Sequence, residues 1–212
     1  MFCHCCAPDD KENGLELAPE LKTTPKAYGT LADEVQEPSG RFVAVLTTEA
    51  ASFGVSVDRS NTACVIVRDV TGGAAAAWNE GNPNHKIQPF DQIVEINGAP
   101  CTAEDIASRL EDREAKEVRL TISRPQERTV VLRKPGRLGI DVNYRKTSVK
   151  PWIASVGSGL VADWNRNKPE LAIVPHDRIM SVNGHSGATD TLLEKLRSSD
   201  DTMILTVMHY EA

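Results

Sequence analysis

The sequence predicts an α+β chain of two small domains, each a five- to six-stranded partial β-barrel or sandwich capped by two helices, behind a disordered N-terminal tail. Three observations carry this. Short β-branched runs punctuated by turns begin at Arg41. One ordered set of elements occurs twice at nearly one offset. Residues 1–40, rich in Pro, Glu, Lys and Thr, show no apolar period and cannot bury enough surface to offset their ordering entropy.

The duplication is read element by element. "RFVAVL" (Arg41–Leu46) matches "RTVVLR" (Arg128–Arg133), and "FGVSVD" (Phe53–Asp58) matches "LGIDVN" (Leu138–Asn143). "AAAAWNEGNP" (Ala74–Pro83) matches "LVADWNRNKP" (Leu160–Pro169), and "QPFDQIVEING" matches "VPHDRIMSVNG". "IASRLED" (Ile106–Asp112) then matches "LLEKLRS" (Leu192–Ser198), and "VRLTI" matches "MILTV". All six pairs fall at shifts of 85–87 residues, with Asn97 and Asn183 separated by 86. Alternation at Val55/Val57 and Val65/Val67 predicts strands, as does the β-branched run Ile93, Val94, Ile96. Apolar residues at helical spacing (Ile106, Ala107, Leu110 and Leu192, Leu193, Leu196) predict the longer helix of each copy. The Asn-Gly pairs close a strand with a turn whose residues tolerate left-handed backbone. The boundaries expected are 1–40 for the tail, 41–125 for the first domain and 126–212 for the second. "SRPQ" leaves almost no linker, which predicts copies docked as one unit with their grooves at a fixed angle.

Composition narrows the function classes. The 212 residues carry a net charge of −6, of which −5 lies in residues 1–40 and −1 in the rest, so there is no basic surplus for nucleic-acid phosphates. No apolar run reaches the roughly 18–20 residues of a membrane helix. The five cysteines form no even framework, which predicts free thiols in a reducing, intracellular setting, cytoplasmic or membrane-peripheral. "GHSG" (Gly184–Gly187) sits in the turn after the duplicated strand, where the other copy has "GAPC", and sequence neighbours seldom have triad geometry. "GSG" (Gly157–Gly159) lacks the Lys-Ser/Thr of a phosphate loop and reads as helix entry. The sequence therefore predicts neither an enzyme nor a cofactor or metal site. The repeated Trp-Asn pairs (Trp78-Asn79, Trp164-Asn165) are expected to pack against the sheets.

The order of elements, the Φ-Gly-Φ loops "SFGV" and "RLGI", and the D-x-I-x-x-I/V-N-G strand resemble a PDZ domain present twice, over roughly four-fifths of the chain. The resemblance implies binding of protein C-termini or internal β-segments in a groove between the second strand and the longer helix, by addition of one antiparallel strand. It implies a carboxylate-holding loop at Phe53, Gly54 and Val55, with Val57, Ala107 and Leu110 around an apolar pocket. In the second copy the loop is Leu138, Gly139 and Ile140, with Val142, Leu193 and Leu196. Arg133 takes the place of a basic residue that assists the carboxylate in the family, whereas the first copy has Thr48 beside Glu49. The helix-start position that selects Ser or Thr in a ligand when it is His is Ala103 in one copy and Thr189 in the other. Leu193 in place of Ala107 predicts a shallower second pocket and a smaller final ligand residue.

The head "MFCHCC" resembles the S-acylated head of a PDZ scaffold, implying lipidation of Cys3, Cys5 and Cys6 and a membrane tether. Phe2 excludes N-myristoylation, and the acidic tail opposes an anionic leaflet. The resemblance thus implies a scaffold or adaptor. A structural subunit of a larger complex, with vestigial grooves, is the alternative.

Overall fold

A computed structural model describes residues 40–47, 52–112, 114–133, 135–198 and 201–211. The tail with Cys3, Cys5 and Cys6, and the pair Thr48-Glu49, lie outside the described residues. The first sheet runs β1 (Arg41–Thr47), β2 (Val55–Asp58), β3 (Ile66–Val70), β4 (Gln92–Ile96), β5 (Ala99–Pro100) and β6 (Glu117–Ser123), with helices α1 (Gly73–Gly81) and α2 (Ala103–Glu111). The second repeats it as β7 (Gln126–Arg133), β8 (Ile140–Asn143), β9 (Trp152–Val156), β10 (Arg178–Val182), β11 (His185–Ser186) and β12 (Thr202–His209), with α3 (Leu160–Asn167) and α4 (Thr189–Leu196). The second copy adds a single 3-10 turn at Pro169–Leu171. Only Arg124 and Pro125 separate the two sheets in sequence.

Each sheet is antiparallel, ordered β1-β6-β4-β3-β2 and β7-β12-β10-β9-β8, with the two-residue strands β5 and β11 pairing with β4 and β10. The short strands have no counterpart in the sequence reading, because two residues are too few to show alternation. Together with the four helices this is an α+β fold in which one arrangement of strands and helices occurs twice. Strand alternation explains which side faces inward. Phe42, Ala44 and Leu46 of β1 meet Val118, Leu120 and Ile122 of β6 in one core, and Val130 and Leu132 meet Met203, Leu205 and Val207 in the other. The register irregularities are duplicated too, between Ser56 and Val57 and between Asp141 and Val142, then between Ile93 and Glu95 and between Ile179 and Ser181.

The repeated motifs prove to be fasteners. Asn97 (φ 54°) and Gly98 (φ 77°), like Asn183 (φ 50°) and Gly184 (φ 76°), close the tight turn in left-handed backbone. Each Asn also grips the neighbouring strand. Asn97 N–H donates to Arg119 O at 2.8 Å while its Oδ1 accepts from Arg119 N at 2.9 Å, and Asn183 does the same to Ile204 at 2.8 and 2.7 Å. Trp78 and Trp164 pack against their cores, and each Trp-Asn pair also clasps the loop that follows its helix. Trp78 Nε1 donates to His85 O and Trp164 Nε1 to Leu171 O, at 2.8 and 3.0 Å. Asn79 brackets both backbone groups of buried Ile87 (2.7 and 2.9 Å), and Asn165 brackets those of Ile173 (2.9 and 2.7 Å).

A third apolar cluster joins the copies, formed by Cys64 and Ile66 of the first with Tyr210 of the second, and flanked by Phe90 and Met208. The Tyr210 hydroxyl donates to Phe90 O at 3.2 Å. Burial pushes the Cys64 thiol up to about 12, and burial together with the Asp105 charge pushes Cys101 up to about 11. Neither cysteine is in a disulfide.

Candidate peptide grooves

In each copy the Φ-Gly-Φ loop is held by its carbonyls. Ser52 O, Phe53 O and Gly54 O accept from the amides of Ala74, Ala75 and Thr71, at 3.4, 2.9 and 2.8 Å. Arg137 O, Leu138 O and Gly139 O accept from Leu160, Val161 and Gly157, at 3.0, 3.1 and 2.8 Å. In a trans peptide the N–H points opposite to the carbonyl of the same unit. Pinning these three carbonyls on the side of the short helix therefore turns the amides of Phe53, Gly54 and Val55, and of Leu138, Gly139 and Ile140, the other way. Successive amides aimed to one side form a nest for an anion. The close approach demands glycine. A Cβ on Gly54 (φ +72°) would lie 1.7 Å from Gly72 O, and one on Gly139 (φ +74°) would lie 2.5 Å from Ser158 O.

Beside the first loop a groove of about 530 Å³ opens between β2 and α2, lined by Ser52, Gly54, Val55, Val57, Ala107 and Leu110, with Arg59 and Glu111 at its rim. The second groove is divided into two. A cavity of about 520 Å³ lies at the loop, bordered by Arg137, Leu138, Gly139, Ile140 and Leu196. One of about 300 Å³ continues along β8 and α4, past Val142, Leu193 and Leu196 to Arg197. The smaller apolar end accompanies Leu193, which replaces Ala107.

Other predicted positions fall elsewhere. Phe53 is a core residue, 1% exposed, and lends the groove its backbone only. Ala103 is buried in the core at the start of α2, and Thr189 is half-buried at the start of α4; neither borders a groove cavity. Arg133 ends β7, exposed and opposite Thr202, whereas Arg137, immediately before the second loop, borders the cavity.

The sequence reading passed over Ser52, Arg59, Arg137 and Arg197. The signal for Arg137 was its alignment with Ser52, one residue ahead of each Φ. These four make the sites electrostatically different. In the first, the Ser52 hydroxyl accepts from Gly54 N at 3.1 Å, engaging one loop amide, and Arg59 forms an ion pair with Glu111 between strand and helix. In the second, Arg137 and Arg197 outnumber Asp141, leaving a net positive groove. The helices are secured differently as well. The Thr102 hydroxyl accepts from Asp105 N at 3.2 Å, while Asp105 Oδ2 accepts from Thr102 N at 2.9 Å, completing a capping box that α4 lacks. The amide and hydroxyl of Thr102 hold the Asp105 carboxyl below its usual value.

Among the described residues no group of three or more His, Cys, Asp or Glu could hold a metal ion, and no helix is long and apolar enough to cross a membrane. No family model matches the chain, and no curated protein matches it. Solved structures that it resembles include the complex of INAD PDZ45 with NORPA CC-PBM, at 19% identity over 83% of this chain and 94% of that one, with a TM-score of 0.37. Another is INAD PDZ45 in complex with NG2 peptide, at 20% identity over 83% and 92%, with a TM-score of 0.35.

Proposed function

We propose that the protein is a non-enzymatic adaptor that takes up C-terminal or internal segments of partner proteins as an added β-strand along β2 and β8. One observation carries this reading. In both copies an edge strand, a groove with aliphatic side chains along part of its wall and a loop whose amides are turned away from the short helix stand together, which is the donor pattern an extended chain with a terminal carboxylate needs. The second groove, with its net positive charge, is the carboxylate-preferring one. The first, with one loop amide engaged by Ser52 and Glu111 at its rim, is the better fit for an internal segment. Selection of two phage-displayed libraries on the whole chain, random C-terminal heptapeptides and random internal heptapeptides, tests this. Clones should be recovered, and Gly54→Ala and Gly139→Ala should each abolish a separate subset. Recovery of none would favour the rival reading, a structural subunit of a larger complex with vestigial grooves, which the Arg59–Glu111 pair across the first groove supports.

A tether through S-acylation of Cys3, Cys5 and Cys6 belongs to the same proposal. Acyl-biotin exchange on the wild type and a Cys3/Cys5/Cys6→Ser variant tests it, and absence of label in the wild type refutes it.

A further inference from the structure

Asp58 is the last residue of β2, the edge strand of the first groove, and its side chain is fully buried. Oδ1 accepts from Ser60 N at 2.8 Å within its own copy. Oδ2 accepts from Val149 N at 3.0 Å and from Arg178 Nη1 at 2.9 Å, both in the second copy. Arg178 is itself fully buried, donates also to Lys150 O at 2.9 Å and lies over the Trp152 ring at 5.5 Å. Its Nε and Nη2 have no hydrogen-bond partner among the described residues. Around this pair, Asn61 Nδ2 meets His176 Nδ1 at 3.0 Å, and Ile66, paired with Asp58 across the sheet, packs on Tyr210.

β2 has four residues, one neighbouring strand and a register shift between Ser56 and Val57. Within the first copy its C-terminal half is held by pairing of Val57 and Asp58 with β3, by the approach of α2 and by Arg68 Nη2, 4.0 Å from Asp58 Oδ1, while the hydrogen bonds to Asp58 Oδ2 come from the second copy. The loop carbonyls secure its other end. In the second copy the residue matching Asp58 is Asn143, which is exposed, and α4 makes its close approaches to β10 and β11 rather than to β8. Burying two charges is costly, and an apolar contact would bond the copies as well. What a carboxylate with three converging donors adds is a fixed direction.

We infer that the second copy positions the peptide-accepting strand of the first groove: Arg178 and the Val149 amide fix Asp58, and with it Val57, so that this groove is formed only while the copies are docked. Arg178 is a positioning residue for a site on the other copy. The inference rests on the adaptor reading, but part of its test does not.

That part is amide hydrogen exchange on the full chain, comparing β2 (Val55–Asp58) with β8 (Ile140–Asn143) in wild type, Arg178→Met and Asp58→Asn. Arg178→Met should lower protection of β2 about 10-fold and leave β8 within 2-fold, and Asp58→Asn should act in the same direction more weakly. Library clones assigned to the first groove by Gly54→Ala should weaken about 10-fold, while those of the second groove stay within 2-fold. Unchanged β2 exchange in a folded variant, or equal loss at β2 and β8, overturns the inference. If Arg178→Met does not fold, Asp58→Asn decides by the same criteria. If no clone binds the wild type, the adaptor reading falls and the exchange comparison still decides whether the strand is positioned.

Discussion

Alanine placed at Gly54 tests how the first loop is built, because three glycines share nearly one backbone conformation and differ only in the space around them. Their φ values are +72° (Gly54), +74° (Gly139) and +77° (Gly98). A side chain in left-handed backbone costs about 1–2 kcal/mol at each. Around Gly98 an added Cβ meets nothing within 4 Å, so that cost stands alone. At Gly139 the Cβ lies 2.5 Å from Ser158 O, and at Gly54 it lies 1.7 Å from Gly72 O. Real Cβ contacts begin near 3.0 Å, so the loop must give by roughly 0.5 Å at Gly139 and roughly 1.3 Å at Gly54. The opposing atoms are backbone, and no rotamer change relieves them. Overpacking of this kind adds about 1–3 kcal/mol. The expected losses are therefore about 1–2 kcal/mol for Gly98→Ala, about 2–3 for Gly139→Ala and about 3–5 for Gly54→Ala. Urea unfolding followed by far-ultraviolet circular dichroism reads all three. A Gly54→Ala variant no less stable than Gly98→Ala would refute the reasoning, as would one that keeps first-groove binding while folded.

Three further outcomes follow from the same geometry. Thr102→Ala should cost about 1 kcal/mol through loss of the α2 cap, whereas Ala188→Gly before α4 should change little, as measured by urea midpoints. With its thiol raised from 9.0 to about 11, Cys101 should react with iodoacetamide at pH 8 about 100-fold more slowly than an unperturbed thiol; peptide-resolved mass spectrometry showing an ordinary rate would contradict its half-buried placement. Burial alone would raise the Asp58 carboxyl, yet hydrogen bonds from Ser60 and Val149 and the Arg178 charge outweigh it and hold the group below 3.8. A carboxyl depressed in the folded state stabilises above its unfolded value and loses that contribution as pH falls through the folded one. The melting-temperature gap between wild type and Asp58→Asn should therefore be full at pH 5 and close below pH 3.8.

Periodic and local features were legible in the sequence. The shared offset gave the duplicated topology, and the turn chemistry of Asn97-Gly98 and Asn183-Gly184 gave its tight corners. Val57, Ala107 and Leu110 line a groove because strand alternation and helical spacing point them to one side. Features that depend on where distant segments meet were not legible. Ser60, two residues on, caps Asp58 locally, but nothing local marks the carboxyl as buried, since its partners in the second copy lie 91 and 120 residues away. Ser52 and Arg137 look like ordinary loop residues until the carbonyls beside them are seen to be pinned. Phe53 fits an apolar groove position by pattern, but its bulk belongs to the core, where a 1% exposed ring is worth more than at a rim. The resemblance places the assisting basic residue at Arg133, whereas Arg137, four residues on, borders the cavity.

The Asp58–Arg178 contact also distinguishes the two copies from one another. It is heterologous, one copy offering an acid and the other a base, and repeating that operation would generate an open-ended filament of modules. Neither copy carries the other's half of the pair: the second has Asn143 where the acid stands in the first, and the first has Gln92 where Arg178 stands in the second. The contact therefore sets the two copies in one order, acid side first and base side second, although their folds are repeats of one another.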